Sequence, residues 1–201
     1  MLLVLVLSVA LLAGPVFAAE PSEKGASDAG AISGVKDAQG LSDSVKAKEQ
    51  QLADEVRNMT GGEKDVRTHG NAISLAVHAL LSSENLTDGI GKNVSAIARD
   101  FNGSIKARED LELQINGRGG IVRAFFGGDE KAAHELWAQL NTTGEKLAEL
   151  KLLLGQCANC SADVVAQLQT QIDVLQAEQD RQGQLVQKEL ADKGFLGWLF
   201  K

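Results

Sequence analysis

The sequence is short of aromatic residues, of proline and of cysteine. Its 201 residues include no tyrosine, 6 phenylalanines, 2 tryptophans, 2 prolines and 2 cysteines. Since 44% of the residues are nevertheless hydrophobic, a normal share for a folded protein, the core must be mostly aliphatic. The scarcity of proline and the lack of strand-like alternation of apolar and polar residues favour helices over sheets.

Other shortages exclude whole classes of function. The two cysteines and the three histidines, His69, His78 and His134, do not have the spacing of a structural zinc site, so we expect neither metal nor cofactor. No histidine has paired carboxylates at catalytic spacing, which predicts a protein that is not an enzyme. A net charge of −7, with the two signs intermixed, lacks the basic face that nucleic acid requires.

The first twenty residues have the character of an export signal. They carry no charge before Glu20, and an apolar run over residues 2–13 is followed by Pro15 and by a small residue at Ala18. This pattern predicts a signal peptide over residues 1–18, although the usual positive start is missing. An uncleaved anchor is the alternative, because about 20 apolar residues can span a bilayer. In either case we expect an extracytoplasmic protein, secreted or attached to the outer face of the cytoplasmic membrane.

Asparagine is used in an unusual way, because six of the eight asparagines stand in Asn-x-Ser/Thr triplets. Serine and threonine make up only 18 of 201 residues, so chance would give fewer than one such triplet. Some asparagines could instead cap helices, but this does not explain the hydroxyl residue two positions later. The triplets predict N-glycosylation, and hence an archaeal or eukaryotic source, at Asn58, Asn85, Asn93, Asn102, Asn141 and Asn159.

The composition along the chain indicates a linker followed by helices. Residues 19–41 are rich in small and polar residues and read as a flexible linker. Residues 42–126 show helical periodicity and predict a helical bundle segment, in which a first helix stops at the diglycine of residues 61–62. A second helix is expected over residues 64–83, and a third starts near Asn85.

Residues 127–193 carry the strongest periodicity and predict a long antiparallel coiled-coil hairpin. Asp129 is the expected N-cap of its first helix, and Asn159 or Ser161 that of its second. The first heptad stripe contains Ala133, Leu136, Leu140, Thr143, Leu147, Leu150 and Leu154. The second stripe contains Val165, Leu168, Ile172, Leu175, Gln179, Gln182 and Val186. The predicted fold class is therefore all-α, with a protein partner or self-association through the hairpin.

Both cysteines, Cys157 and Cys160, lie in the predicted turn of this hairpin. A thioredoxin-type dithiol needs its first cysteine at a helix N-terminus after a strand, and here it follows a helix. In an exporting compartment the thiols would oxidise, so we favour a local disulfide. Intermolecular disulfides, redox chemistry and metal binding remain as alternatives.

The C-terminal tail, residues 194–201, is apolar and ends in lysine. Aromatic rings flanked by lysine suit the interface between a membrane and water, and the alternative is that the tail folds back onto the helices. The residues predicted to dock on a membrane or a partner are Phe195, Leu196, Trp198, Leu199 and Phe200.

Three stretches, residues 77–104, 125–136 and 193–201, together with the two-cysteine turn, resemble a group of small exported helical proteins of methanogenic archaea. The resemblance covers the chain from about Val66 onward. It implies an archaeal source and an envelope location, and it supplies no activity and no catalytic or binding residue.

The sequence therefore favours a non-enzymatic, exported, N-glycosylated helical protein of the cell envelope with a structural or interaction role. The alternatives are an extracytoplasmic binding or chaperone-like coiled-coil module and, with less support, a thiol-disulfide redox protein.

Overall fold

The computed structural model describes residues 35–196, and within this range the protein is all-α, as predicted, with no strand. The predicted leader and most of the predicted linker lie outside the described residues. The helices are α1 (Ala38–Val56), α2 (Gly61–Ser82), α3 (Gly91–Gly117), α4 (Gly120–Phe126), α5 (Glu130–Gly155) and α6 (Ala162–Ala191). No helix within this range is both long enough and apolar enough to cross a membrane.

Helix α1 begins earlier than the sequence predicted. The linker expected over residues 19–41 has to end before Ala38, because α1 starts there and both Val35 and Leu41 are buried. Asp37 caps this start by accepting a hydrogen bond of 2.8 Å from a backbone N–H of the first turn.

The prediction that the diglycine stops the first helix was wrong. The chain turns over residues 57–60, and Gly61 and Gly62 are the first two residues of α2 rather than the end of α1. Gly61 has φ of +66°, which glycine adopts without the steric cost of a Cβ. The diglycine marks the chain reversal, but on the far side of the turn.

Helix α3 starts later than predicted. A single 3-10 turn, Asp88–Ile90, precedes it, and Asn85 is exposed six residues before Gly91 instead of capping the helix. Gly91 is required here, since a Cβ would collide with the backbone oxygen of Glu84. The predicted apolar stripe is confirmed as buried at Val94, Ile97, Phe101 and Ile105.

The last two helices, α5 and α6, begin at predicted caps. Asp129 accepts a hydrogen bond of 3.0 Å from the N–H of Ala132, and Ser161 accepts one of 3.3 Å from the N–H of Val164. Both heptad stripes are largely buried, each aliphatic side chain contributing about 1.5–3 kcal/mol by leaving water. The two helices contact each other, and α5 also packs on α3 and α6 on α2.

The core divides into two apolar clusters. The larger one joins α1, α2 and α3 to the halves of α5 and α6 that lie next to their connecting loop. The smaller one lies at the other end of α5 and α6, around Ile115, Leu136, Leu140 and Val186. Charged and amide side chains of α3 and α6 are buried between the two clusters.

Candidate functional site

The loop between α5 and α6 contains the two cysteines. Their sulfur atoms are at disulfide distance and their Cα atoms are 5.5 Å apart, so neither thiol is free. Cys157 follows the C-terminus of α5, where the helix dipole disfavours a thiolate. The Sγ atom of Cys157 also lies 3.5 Å from the carbonyl oxygen of Thr87, so the loop contacts the turn before α3.

The six predicted glycosylation sites lie at the surface. Five of the asparagine side chains are exposed, and Asn102 is half-buried on α3. Asn159 is exposed between the two cysteines. The triplets are spread over turns and helices, so they do not converge on a single site.

The three histidines do not form a catalytic group. His69 Nδ1 lies 2.8 Å from Glu178 Oε1, and His78 Nε2 lies 2.9 Å from Ser44 Oγ. His134 is exposed on α5. Within residues 35–196 no three histidine, cysteine, aspartate or glutamate side chains are grouped as metal ligands would be.

A polar layer joins α3 to α6 between the two apolar clusters, and it is formed by the buried Arg108, Glu112 and Gln182 with the half-buried Arg181. Arg181 donates two hydrogen bonds of 2.8 Å to the carboxylate of Glu112. Gln182 donates to the same carboxylate and accepts from Arg108. These groups satisfy one another, which burial of charge requires.

Burial shifts the pKa values of two groups in and beside this layer. The pKa of Arg108 is lowered to about 10, mainly because burial disfavours its charge. The pKa of Glu109 is raised, chiefly by burial and against the opposing effect of Arg67, whose Nη1 is 2.7 Å from its Oε2. Because the groups of the polar layer hydrogen-bond one another, we assign this layer to structure.

An apolar end, formed by α4 and the start of the C-terminal tail, is the best candidate for a functional surface. All four large apolar side chains of α4 are exposed, and Ile121 and Phe126 are the most exposed at 79% and 64%. Phe195 of the tail is 61% exposed. The remaining apolar side chains of α4 that belong to this end are Val122 and Phe125.

Backbone hydrogen bonds attach the tail to α4. The N–H groups of Phe195 and Leu196 donate to the carbonyl oxygens of Ala124 and Phe125, at 2.7 and 2.8 Å. These carbonyls belong to the last turn of α4, where no helical N–H is available for them. Of the predicted docking residues, the structure therefore places Phe195 and Leu196 beside α4.

The remaining docking residues, Trp198, Leu199 and Phe200, lie outside the described part of the chain. They follow Leu196 in the sequence after a single glycine, Gly197. In the sequence they continue the C-terminal tail, whose described residues Phe195 and Leu196 belong to the apolar end.

An ionic junction supports the apolar end from inside. Arg123 of α4 donates to both oxygens of Glu189 at 2.8 and 3.0 Å, and to Asp192 at 3.2 Å. Glu189 also accepts from the N–H of Asp129, so one buried carboxylate joins α4, α5 and α6. Its hydrogen bonds hold the pKa of Arg123 above its ordinary value.

The sequence interpretation missed α4 as part of the surface. It included these residues in the helical bundle segment over residues 42–126, because apolar residues between two glycine-rich stretches usually enter a core. The available signal was the repetition of aromatic and aliphatic residues in two short segments, α4 and the tail, each next to glycine.

Comparisons with protein-family models, with curated proteins and with solved structures gave no match. The resemblance to methanogen proteins therefore stays a prediction.

Proposed function

We propose that this chain is an exported, N-glycosylated, non-enzymatic helical protein of the cell envelope, with a structural or interaction role. The observation that carries the proposal is the position of the six Asn-x-Ser/Thr asparagines, of which five are exposed and one is half-buried. A glycan needs this accessibility, and a helical scaffold can carry several glycans without disturbing its core. The paired cysteines agree with an oxidising compartment.

In this proposal α5 and α6 form an antiparallel hairpin of coiled-coil type that serves the protein's own architecture. Their short connection and the burial of both heptad stripes support this arrangement. A chaperone-like clamp would need an open seam to grip another chain, and the packing of α2 and α3 against the hairpin argues against one. The bonded cysteines likewise give no support to a redox role.

The apolar end attaches the protein to the membrane surface in this proposal. Exposure of phenylalanine and aliphatic side chains to water is unfavourable in free energy. Aromatic rings with nearby lysine prefer the level of lipid headgroups. Lys193, next to this end, and Lys201, the last residue, supply the lysines.

The export and glycosylation parts are tested by the intact mass of the protein from native membrane and medium fractions. We expect a mass that lacks the leader, exceeds the polypeptide mass by several glycans, and accepts two alkyl groups only after reduction. Replacement of Thr60 by Ala, which removes one triplet without touching its asparagine, should remove one glycan. An unmodified mass with two free thiols contradicts the proposal.

The docking part is tested by flotation with phosphatidylcholine vesicles. The double substitution Ile121→Ser and Phe126→Ser should abolish co-flotation because it removes the two most exposed side chains of the apolar end. The control is Leu152→Ser, since Leu152 is 66% exposed but lies on α5 about 33 Å from its start. Equal flotation of both variants excludes the apolar end as the docking surface.

A further inference from the structure

A groove of about 480 Å³ opens between α5 and α6 on the surface of the smaller apolar cluster. Its size suits a ligand of one or two sugar rings, at the lower end of the range for small-molecule sites. The residues that line it are Trp137, Leu140, Asn141, Gly144, Gln179, Asp180, Gly183, Gln184 and Gln187.

The lining is rich in hydrogen-bonding groups that carry no charge. Four of its side chains are carboxamides, which both donate and accept, and Asp180 is its one carboxylate. Neither lysine nor arginine takes part in the lining. Lysine and arginine are the side chains that most often bind phosphate and carboxylate ligands, so a lining without them fits a neutral ligand with many hydroxyl groups better.

An unsatisfied acceptor lies in this groove. Gln179 donates through Nε2 to the carbonyl oxygen of Leu140 at 3.2 Å, which orients its amide. Its Oε1 atom is buried and has no hydrogen-bond partner among the described residues. A buried acceptor without a partner is costly, and a ligand hydroxyl would satisfy it once a rotation of the Gln179 amide turns Oε1 toward the groove.

Trp137 supplies a flat apolar surface beside these polar groups. It is 42% exposed, although an indole of this size is usually covered when it belongs to a core. The faces of a sugar ring present C–H groups, while its edge presents hydroxyls. One ring can therefore contact the indole with a face and the carboxamides with its edge.

We propose that this groove binds a neutral carbohydrate, with one sugar ring stacked on Trp137 and its hydroxyl groups hydrogen-bonded to Gln179 and Gln184. Two sources can supply the sugar. One is a saccharide from the surroundings. The other is the protein's own glycan at Asn141, which rests on the proposed function.

Helix geometry supports the glycan at Asn141 as a source of the sugar. Asn141 is four residues after Trp137 on α5, so the two side chains lie on the same face, one turn apart. Asn141 is exposed and lines the groove. The first sugars of a glycan on Asn141 would therefore start within reach of the indole.

Two glycines keep the groove open. A Cβ on Gly144 would come within 2.6 Å of Gln179 Nε2 and would displace that amide. A Cβ on Gly183 meets nothing within 4 Å, so a larger side chain there would project into open space at the groove. Gly183→Leu is thus a blocking substitution whose Cβ meets no neighbouring atom.

The first experiment uses the full chain produced without glycosylation, with Trp198→Phe so that Trp137 is the only tryptophan. We expect a saturable change in tryptophan emission, in the millimolar range, on titration with glucose, galactose or N-acetylglucosamine. Glucuronate and inorganic phosphate should give no saturable change, because the groove lacks cations. Isothermal titration of Trp137→Ala should show at least tenfold weaker binding of the same sugar.

A substitution that fills the groove provides a second test of sugar binding. Gly183→Leu should weaken sugar binding at least tenfold, whereas Gly103→Leu, at another helical glycine with open space around it, should leave binding unchanged. The thermal midpoints of both variants show whether each is folded. Binding that survives in Gly183→Leu, or a groove that binds a proline-rich peptide but no sugar, overturns the proposal.

The second experiment separates the two sources in the natively glycosylated chain. If the glycan at Asn141 occupies the groove, acrylamide should quench Trp137 several-fold more strongly in Asn141→Gln than in the parent, and added sugar should bind only to the variant. If added sugar binds both equally, the source is external and the groove is still a carbohydrate site. Absence of any glycan would contradict the proposed function while leaving the first titration intact. If added sugar does not bind and a glycan at Asn141 does not protect Trp137 from acrylamide, the groove is not a carbohydrate site.

Discussion

At the residue scale, the most informative side chains are carboxylates held where a core would normally be apolar. Glu109 lies against Gly70 of α2, where a Cβ would collide with its carboxylate. Glycine at position 70 therefore makes room for a charge that burial destabilises, while Arg67 partly compensates from a half-exposed position. The helical periodicity of α3 does not reveal this arrangement.

The raised pKa of Glu109 predicts a specific pH dependence. Because the folded-state pKa lies above the ordinary value of 4.5, the stability contributed by this group is present below pH 4.5 and is lost as the pH rises through the folded pKa. Glu109→Gln removes this loss, so its stability relative to the wild type should increase between pH 4.5 and pH 8. Urea unfolding of both proteins across this range measures the difference.

The control for this prediction is Asp110→Asn, since the neighbouring Asp110 is exposed. Its stability difference from the wild type should vary less with pH. A difference for Glu109→Gln that stays constant with pH would show that burial does not govern this carboxylate.

At the element scale, the junction of α4, α5 and the tail depends on close backbone approach. Gly127 has φ of +80° and Gly194 has φ of +62°, and the Cβ of either would collide with the other segment. Gly128 donates a backbone hydrogen bond of 2.7 Å to Asp192. The glycines next to each apolar segment therefore join the two segments.

Gly127→Ala should consequently lower the free energy of unfolding by about 1–3 kcal/mol, because alanine is strained at positive φ and its Cβ collides with the backbone at Asp192. Gly103→Ala is the matched control, since Gly103 is helical with open space around it and alanine should stabilise it by about 0.5–1 kcal/mol. Denaturant unfolding measures both. A Gly127→Ala protein that is as stable as the wild type, or more stable, would contradict a close-packed junction.

At the scale of the whole molecule, the charge distribution sets how the apolar end would meet a membrane. The net charge is −7, while two basic groups next to the apolar end within residues 35–196 are already paired, Arg123 with Glu189 and Lys193 with Glu130. Attraction to anionic lipid is therefore weak and the acidic body is repelled. Membrane contact would depend on apolar area rather than on charge.

This balance predicts that, at low salt, the protein binds neutral phosphatidylcholine vesicles at least as well as anionic ones. Salt at about 0.5 M should increase binding to anionic vesicles, because screening removes the repulsion. Co-flotation at two salt concentrations measures both, and the salt dependence of bovine serum albumin flotation serves as a control for nonspecific adsorption. Tighter binding to anionic vesicles that salt weakens would require a basic face that the described residues lack.

Local signals in the sequence were sufficient for the long helices and much of their detail, but not for α4. Apolar spacing in α3, α5 and α6, the caps at Asp129 and Ser161, and the pairing of Cys157 with Cys160 all depend on residues a few positions apart. Helix boundaries predicted from glycine were less accurate, because glycine occurs both at the end and at the beginning of helices. The diglycine at the start of α2 was therefore assigned to the wrong side of its turn.

Only the tertiary structure decided which helix faces meet and which apolar segments stay in water. Arg181 reaches Glu112 across 69 positions, and His69 reaches Glu178 across 109, separations at which periodicity carries no information. The apolar segment of α4 is similar in composition to a core segment, yet the ionic junction and the tail backbone hold it at the surface. The sequence determined the elements because their causes are local, while the polar layer, the apolar end and the groove at Trp137 depend on which elements pack together.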